Sequence, residues 1–379
     1  MDIDSRTLKW QYGPAQENKM IDPQAIQKLL AGRFDISTKK PDIEKLPGDA
    51  SSRRYYRLRW QDENRCRSTI LMDMAGSEGA RTSEETGSTL PATEEDPPFI
   101  TIQKHLFACK IPVPEIFAYD KNRGWILLED LGNTTLSDRI EHLLQRPEQL
   151  LGYYEQAIEI LIAIQLNASP RPAHPTIAHR RHFDQALLEW EFEHFLEYGI
   201  EQQSGLRLPP DKKSDIQSHF SKIAAQLAML PQVFTHRDYH SRNLMIDAEA
   251  TGFKIGVIDF QDALMGPAPY DLASLLRDSY VSLPEEMVDR LVAYYLSLHK
   301  KRSGTAIDKA SFRESFDLMS IQRNLKAAGR FVFIDRVKKK NHLLRYISPT
   351  LANVKRNLLK YPNLKPLYDL LSEYVPELR

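Results

Sequence analysis

The sequence predicts an α+β protein in which a small lobe, an antiparallel sheet with a helix, is joined to a large and mainly helical lobe. Five strand-like runs and two short helical segments occur before Asp130, whereas the pattern beyond Leu131 is mostly helical. This second part is interrupted once, between Val233 and Asp262, by short apolar runs around a polar loop. The predicted divisions are a disordered terminus at 1–20, a small lobe at 21–131 and a large lobe at 132–379.

The small lobe contains most of the strand-like sequence. Asp22-Pro23 has the pattern of a helix N-cap followed by proline at the first helical position, and leads into AIQKLLAGRF. A further helix is predicted from Phe99 to Ala108. The predicted strands are DIEKL, RRYYRLRW, STILMDM, EIFAYD and GWILLED. Residues 75–98 are rich in Gly, Ser, Thr, Pro and Glu, which predicts a mobile surface insertion.

The large lobe shows apolar residues at helical spacing over most of its length. Its one interruption is the polar segment described below. The predicted helices are 147–167, 183–200, 212–229, 284–302, 308–332 and 350–374.

Composition limits the classes of partner. Lys+Arg and Asp+Glu each number 51 in the 379 residues, so there is no overall positive charge of the kind that attracts nucleic acid. No apolar run approaches the roughly 18 residues that span a bilayer, and MDIDSRTLKW does not have the pattern of a signal peptide. Two cysteines, Cys66 and Cys109, are too few for a disulfide framework. We therefore expect a cytoplasmic protein with no nucleic acid, membrane or obligatory protein partner.

The interruption in the helical lobe carries the chemistry. It reads VFTHRDYHSRNLMI and then KIGVIDFQDA, and Asn243 lies five positions after Asp238. An isolated HRD tripeptide is common by chance, but this longer segment matches the kinase pattern H-R-D-x-x-x-x-N. Sixteen residues after Asn243, Asp259 ends an apolar strand. The pattern therefore predicts phosphoryl transfer from ATP.

Each of these residue types suits one part of that reaction. A loop carboxylate, Asp238, can orient an acceptor hydroxyl and receive its proton. Mg²⁺ favours hard oxygen ligands and keeps several waters, so one amide oxygen and one carboxylate are enough to hold it. Asn243 and Asp259 are the predicted metal ligands.

At these residues the chain resembles the aminoglycoside-phosphotransferase family, which has a protein-kinase-like fold. Within that family it is most similar to the bacterial N-acetylmuramate/N-acetylglucosamine anomeric kinases. The resemblance implies a small-molecule sugar substrate and a sugar 1-phosphate product in cell-wall sugar recycling. The matching segments are GDASSRRYYRL (48–58), ILMDM (70–74), VPEIFAYD (113–120), LLEDLG (127–132), LLEWEFEHFLE (187–197), THRDYHSRNLM (235–245), VIDFQDALMGPAPYDLASLLRD (257–278) and QRNLKAAGRF (322–331).

The small lobe departs from ordinary kinases at the phosphate-binding cation. The strand where V-A-I-K is expected reads TILMDM, and the following helix has no glutamate to pair with a lysine. Arg53 and Arg54 are the candidate replacements. The turn before them, with Gly48, Ser51 and Ser52, is predicted to offer N–H and hydroxyl donors to the phosphates. The alternative is a solvated hairpin edge.

Three further positions are predicted to support the site. LLEDLG resembles the segment that connects the lobes, where adenine would meet backbone groups between Glu129 and Leu131; a simple strand end and turn is the alternative. Asp271, at a predicted helix start, is expected to cap that helix and to hydrogen-bond to the catalytic loop. His236 is expected to support the same loop.

The acceptor site is the least defined by sequence. The helix LLEWEFEHFLE carries glutamates at i, i+4 spacing, which fits a solvated face better than a substrate surface. By resemblance, Glu191 and Glu193 fall where this family lines its acceptor cleft. Arg323 and Lys326 lie on neighbouring helical turns, where they could meet the carboxylate of an acidic sugar.

Other readings use the same motif. The acceptor could be an aminoglycoside, choline, homoserine or a protein hydroxyl. A protein kinase is disfavoured, because the sequence lacks G-x-G-x-x-G, V-A-I-K and A-P-E. Choline would call for an aromatic cage. A non-catalytic nucleotide-binding pseudokinase is suggested by the missing lysine. The presence of Asp238, Asn243 and Asp259 argues against it.

Overall fold

The computed structural model describes residues 22–34, 36, 40–47, 53–62, 65–74, 96–247 and 254–379. The described residues form two compact units, one from those within 1–81 and 117–128 and one from those within 82–116 and 129–379. The predicted disordered terminus, and residues 75–95 of the predicted insertion, lie outside the described residues. No described helix is long and apolar enough to cross a membrane.

A five-stranded sheet dominates the first unit. All five predicted strands are present, and they pair in the order β1-β2-β3-β5-β4. Neighbours β1, β2 and β3 are antiparallel, because consecutive strands turn back on one another. The strands are β1 (Asp42–Lys45), β2 (Arg54–Asp62), β3 (Arg65–Asp73), β4 (Ile116–Asp120) and β5 (Trp125–Glu129).

Helix α1 (Pro23–Ala31) packs on this sheet. Its start is as predicted, because the Asp22 side chain accepts a hydrogen bond from the backbone N–H of Gln24 at 2.9 Å and Pro23 is the first helical residue. Its apolar side chains Ile26 and Leu30 are fully buried. The rest of this core comes from alternate positions of the strands, namely Tyr56, Leu58, Trp60, Leu71, Trp125 and Leu127.

Helix α2 (Pro98–Ala108) belongs with the second unit, although its sequence position predicts it in the small lobe. The reason is the set of contacts that its side chains make. Phe99 stacks on Phe260, with ring centroids 5.0 Å apart. The amide of Gln103 donates to the backbone oxygen of Pro114 at 2.8 Å.

The second unit is mainly helical, as predicted. The predicted helix at 350–374 is divided at Tyr361-Pro362, because proline lacks the N–H that would continue a helix. Helix α3 was not predicted, and α7 was predicted only by a helix start at Asp271. The helices are α3 (Leu136–Leu144), α4 (Pro147–Ala163), α5 (Gln185–His194), α6 (Pro210–Ala228), α7 (Tyr270–Leu276), α8 (Glu285–Ser303), α9 (Lys309–Lys338), α10 (Ile347–Lys360) and α11 (Lys365–Tyr374); π-helical turns continue α4 over Ile164–Ala168 and α5 over Phe195–Gln202.

Two short antiparallel strand pairs replace the helical pattern where it is interrupted. Strand β6 (Gln232–Thr235) pairs with β9 (Leu264–Pro267), and β7 (Leu244–Ile246) pairs with β8 (Ile255–Val257). The polar segment 236–243 connects β6 to β7, and residues 258–263 connect β8 to β9. Each of the two motif segments is therefore a loop that runs from one strand pair to the other.

Candidate active site

The loop after β6 and the loop after β8 are hydrogen-bonded to each other. The side-chain amide of Asn243 donates to the backbone oxygen of Asp238 at 2.9 Å. The backbone N–H of Ile258 donates to the backbone oxygen of Asn243 at 3.1 Å, one residue before Asp259. Asp238, Asn243 and Asp259 therefore lie on one hydrogen-bonded patch of backbone, and the carboxylate of Asp259 is exposed.

Two residues of this patch adopt left-handed backbone conformations. Arg237 has φ +77° and Asp259 has φ +66°. For residues other than glycine, such a conformation costs on the order of 1–3 kcal/mol and persists only where surrounding contacts hold it. One such contact at Asp259 comes from Gln261, whose side-chain amide donates to Oδ1 of Asp259 at 2.8 Å. Strain of this kind is common at functional loops.

Asp271 holds the start of the catalytic loop. Its buried carboxylate accepts the backbone N–H of His236 at 2.7 Å and that of Arg237 at 3.0 Å. The expected capping is not formed, because the cap position of α7 is Pro269 and the carboxylate turns to the loop instead. The His236 ring also lies across the loops, with Nε2 2.9 Å from the backbone oxygen of Ile258.

Asp278 holds the middle of the same loop, which sequence reasoning missed. Its carboxylate is 3% exposed and accepts both the backbone N–H of Ser241 at 2.9 Å and the Ser241 hydroxyl at 2.5 Å. The adjacent Arg277 is also buried, and its Nη2 donates to Glu285 at 2.8 Å. Two adjacent charged residues near a helix end are typical of an exposed pair, but Arg277 and Asp278 are both buried.

Glu191 is fully buried beneath the loop. Its carboxylate lies 3.1 Å from Nη2 of Arg237 and 3.5 Å from Nζ of Lys326, and it accepts the side-chain amide of Gln322 at 2.8 Å. Glu193, two residues further along α5, accepts from Gln217 of α6 at 2.7 Å. Residues two apart on a helix face different directions. The structure therefore does not join Glu191 and Glu193 into one acidic acceptor surface.

Arg323 and Lys326 of α9 are both buried near the catalytic carboxylate. Burial by itself would raise the pKa of Asp238, but neighbouring positive charge outweighs this effect and holds that pKa well below its usual range, with Lys326 the largest contributor. Burial also lowers the pKa of His240 to about 4, although nearby carboxylates act in the opposite direction. At neutral pH Asp238 is therefore ionised and His240 is neutral.

The predicted phosphate-binding residues are only partly described. Gly48, Ser51 and Ser52 lie outside the described residues. Arg53 is half-buried just before β2. Arg54 forms an ion pair at 2.7 Å with the buried carboxylate of Asp73, its directly opposite partner on β3. An arginine pairs to a carboxylate through only part of its five N–H donors, so this contact orients Arg54 without using all of them.

The connecting segment after β5 is fixed through both backbone and side chain. The N–H of Glu129 donates to the backbone oxygen of Glu115 at 2.9 Å, and the Glu129 carboxylate accepts the N–H of Glu115 at 3.2 Å. A Cβ placed on Gly256 would lie 2.7 Å from Leu131, so this glycine of β8 allows the Leu131 side chain to approach closely. The backbone N–H of Glu129 is therefore already used by Glu115.

The donor set fits magnesium. The described residues contain no group of three or more His, Cys, Asp or Glu side chains that could hold a metal ion by themselves. Mg²⁺ does not need such a cage, because it binds through one or two protein oxygens and keeps its remaining waters. The amide nitrogen of Asn243 is bonded to the loop backbone. Its amide oxygen and the exposed carboxylate of Asp259 are the two hard oxygen groups that would hold the ion.

The chain matches the model of a known enzyme family. The model for the phosphotransferase enzyme family matches residues 42–307, which is more than half of the chain. The chain therefore belongs to the phosphotransferase enzyme family, and it is an enzyme of the phosphotransferase class.

Relatives and solved structures agree with this membership. The chain is 31% identical over 327 residues to the N-acetylmuramate/N-acetylglucosamine kinase of Pseudomonas putida, covering 86% of each chain. It is also 31% identical over 338 residues to the enzyme of the same name from Neisseria meningitidis, covering 88% of this chain and 91% of that one. The predicted family is thereby confirmed.

The predicted α+β protein-kinase-like fold is also confirmed. A choline kinase from Cryptosporidium parvum superimposes with a TM-score of 0.56 at 11% identity, covering 91% of this chain and 97% of that one. The GDP complex of aminoglycoside 2′-phosphotransferase-IIIa superimposes with a TM-score of 0.51 at 12% identity, covering 89% of this chain and 98% of that one. At these identities the likeness concerns the fold alone.

Proposed function

We propose that this phosphotransferase is an ATP- and Mg²⁺-dependent kinase of the cytoplasm that phosphorylates the anomeric hydroxyl of N-acetylmuramate or N-acetylglucosamine. The observation that carries the proposal is the loop at 236–243, where an ionised Asp238 is held beside Asn243 and Asp259. The sugar is suggested by the names of the relatives, which match over most of both chains.

Asp238 acts on the acceptor hydroxyl. Its carboxylate accepts the hydroxyl proton as a hydrogen bond and directs the oxygen toward the phosphoryl group. Because nearby cations hold its pKa low, Asp238 is a weak base in the free enzyme. The proton therefore moves to the carboxylate late, once bonding to phosphorus has made the hydroxyl acidic, as a loose transition state allows.

The remaining predicted site residues would bind the metal ion and the nucleotide. Asn243 and Asp259 would hold Mg²⁺, which supplies charge neutralisation at the phosphate oxygens. Arg53 and Arg54, with donors of the segment holding Gly48, Ser51 and Ser52, would bind the triphosphate in place of the missing lysine. Backbone groups between Glu129 and Leu131 would meet the base.

His236, Asp271 and Glu191 are positioning residues, since each contacts the catalytic loop. Glu193 is assigned no contact with the sugar, because its carboxylate is bonded to α6. Arg323 and Lys326 would face the acceptor. Their positive charge disfavours a polycationic aminoglycoside or choline beside Asp238, because like charges close together repel.

The proposal is tested by ADP release with Mg-ATP and each of four acceptors: N-acetylmuramate, N-acetylglucosamine, an aminoglycoside and choline. We expect turnover on the N-acetyl sugars, a sugar 1-phosphate by phosphorus NMR, and near-complete loss in Asp238→Ala with nucleotide binding retained. Asp259→Ala should weaken Mg-ATP binding as well. Turnover on choline or the aminoglycoside alone would reject the sugar, and wild-type turnover by Asp238→Ala would reject the mechanism.

A further inference from the structure

Arg323 carries a buried donor with no acceptor. Its side chain is 5% exposed, and its Nη1 is buried without a hydrogen-bond partner among the described residues. An unsatisfied N–H on a buried cation costs at least about 1–3 kcal/mol, and such groups in native proteins normally mark an absent partner. The missing partner for a guanidinium is an anion or another hydrogen-bond acceptor.

A second arginine comes from the catalytic loop itself. Arg242 lies one residue before Asn243, and its guanidinium stacks on the ring of Tyr280 at 3.8 Å from the centroid. Its Nη2 donates to the hydroxyl oxygen of Tyr346 at 3.0 Å. Arg345 donates to the same oxygen at 2.9 Å, so two cations share one neutral acceptor. This arrangement leaves their positive charge uncompensated.

Arg242 and Arg323 both act on the group around Tyr280. Both Arg242 and Arg323 act electrostatically on the hydroxyl of Tyr280, and Arg323 acts also on Asp238. In the described part of the chain, no carboxylate forms a salt bridge with Arg242, Arg323 or Arg345. Lys326, in contrast, is paired with Glu191. Among the described residues, Arg323 therefore adds positive charge near the catalytic carboxylate that no salt bridge offsets.

We propose that Arg323 and Arg242 form an anion subsite that binds a carboxylate carried by the acceptor. The inference rests on the proposed function, since it concerns the acceptor of that same reaction. A carboxylate matches the planar fork of an arginine and can accept two N–H donors at once. Of the two sugars proposed above, only N-acetylmuramate carries a carboxylate. The subsite therefore makes it the preferred substrate.

The test compares kcat/KM for N-acetylmuramate and N-acetylglucosamine in the wild type, Arg323→Gln and Arg242→Gln. A charge-assisted hydrogen bond is worth about 1.5–3 kcal/mol, so the muramate to glucosamine ratio should fall about tenfold or more in Arg323→Gln, mainly through KM. Arg242→Gln is nearer the surface and tests the same ratio if Arg323→Gln folds poorly. The matched control is Arg336→Gln, an exposed arginine of the same helix, which should leave both values unchanged.

Equal losses on both sugars would overturn the subsite and leave the proposed function standing, as would a wild type that prefers N-acetylglucosamine. If the wild type turned over neither sugar, the proposed function would fail. The subsite would then be judged by calorimetry with the same two sugars. Binding of N-acetylmuramate that is weakened by Arg323→Gln would support it, and absence of binding would reject it.

Discussion

Replacing Glu191 by glutamine separates two roles for this residue, because a buried structural carboxylate and an acceptor ligand respond differently. Glu191 is fully buried, and its nearest charged partner is the Arg237 guanidinium, itself 1% exposed, at 3.1 Å. Glutamine has nearly the same shape and can still accept from Gln322. The substitution therefore removes the charge and little of the packing.

The expected loss of stability follows from the buried positive charges that remain after the substitution. Removing one partner of a buried ion pair leaves an uncompensated charge, which typically costs about 3–5 kcal/mol. Lys326, at 3.5 Å from the same carboxylate, loses this ion pair as well. We expect Glu191→Gln to lose at least about 3 kcal/mol of unfolding free energy. Because Arg237 also holds a left-handed conformation next to Asp238, kcat should fall for every acceptor alike.

The assay is urea unfolding at neutral pH, followed by circular dichroism, together with kcat and KM for each accepted sugar. Glu189→Gln is the matched control on the same helix. Its half-buried carboxylate accepts from Ser221 at 2.6 Å and Gln185 at 2.8 Å, with no cation, so about 1 kcal/mol or less is expected. A rise in KM for the sugar with unchanged stability would refute the buried-pair reasoning and make Glu191 an acceptor ligand.

Two further predictions concern stability. Burial lowers the pKa of His240 from 6.5 to about 4, so between these values the unfolded chain binds a proton that the native state does not, and stability falls as pH falls. When the pH is lowered from 7 to 5, the wild type should therefore lose about 2 kcal/mol more unfolding free energy than His240→Gln, as measured by urea unfolding. Equal losses in the two proteins would contradict this. Gly329→Ala should cost about 1–3 kcal/mol, because its Cβ would lie 2.9 Å from the backbone Cα of Phe195, whereas Gly32→Ala, with its nearest atom at 3.5 Å, should be close to neutral in thermal melting.

The parts of the fold that the sequence predicted are those set by local pattern. The five strands and most helices follow apolar periodicity, and the helix start at Asp22-Pro23 follows capping chemistry. Two helix boundaries were mispredicted although the sequence contains a local signal for each. Pro362 marks the break between α10 and α11, and the capping box formed by Thr135 and Asp138 marks the start of α3.

The parts that were missed depend on partners far apart in the chain. Glu191 lies in a glutamate-rich helix that looks solvated, yet it pairs with Arg237, 46 positions later. Asp278 looks like half of a surface pair until the fold brings it to Ser241, 37 positions earlier. A charge is stable in the interior only when a partner meets it there. Sequence periodicity does not indicate which partner that is.

Buried carboxylates hold the loop, and cations set the charge state of its catalytic residue. Asp271 binds the start of the loop, Glu191 binds the side chain of its second residue, and Asp278 binds its middle. Burial by itself would favour the protonated form of Asp238. Positive charge, from Lys326 most of all and from Arg237 and Arg323, reverses that balance and keeps the carboxylate ionised. Arg323, which we assign to acceptor recognition, therefore also helps to keep Asp238 ionised.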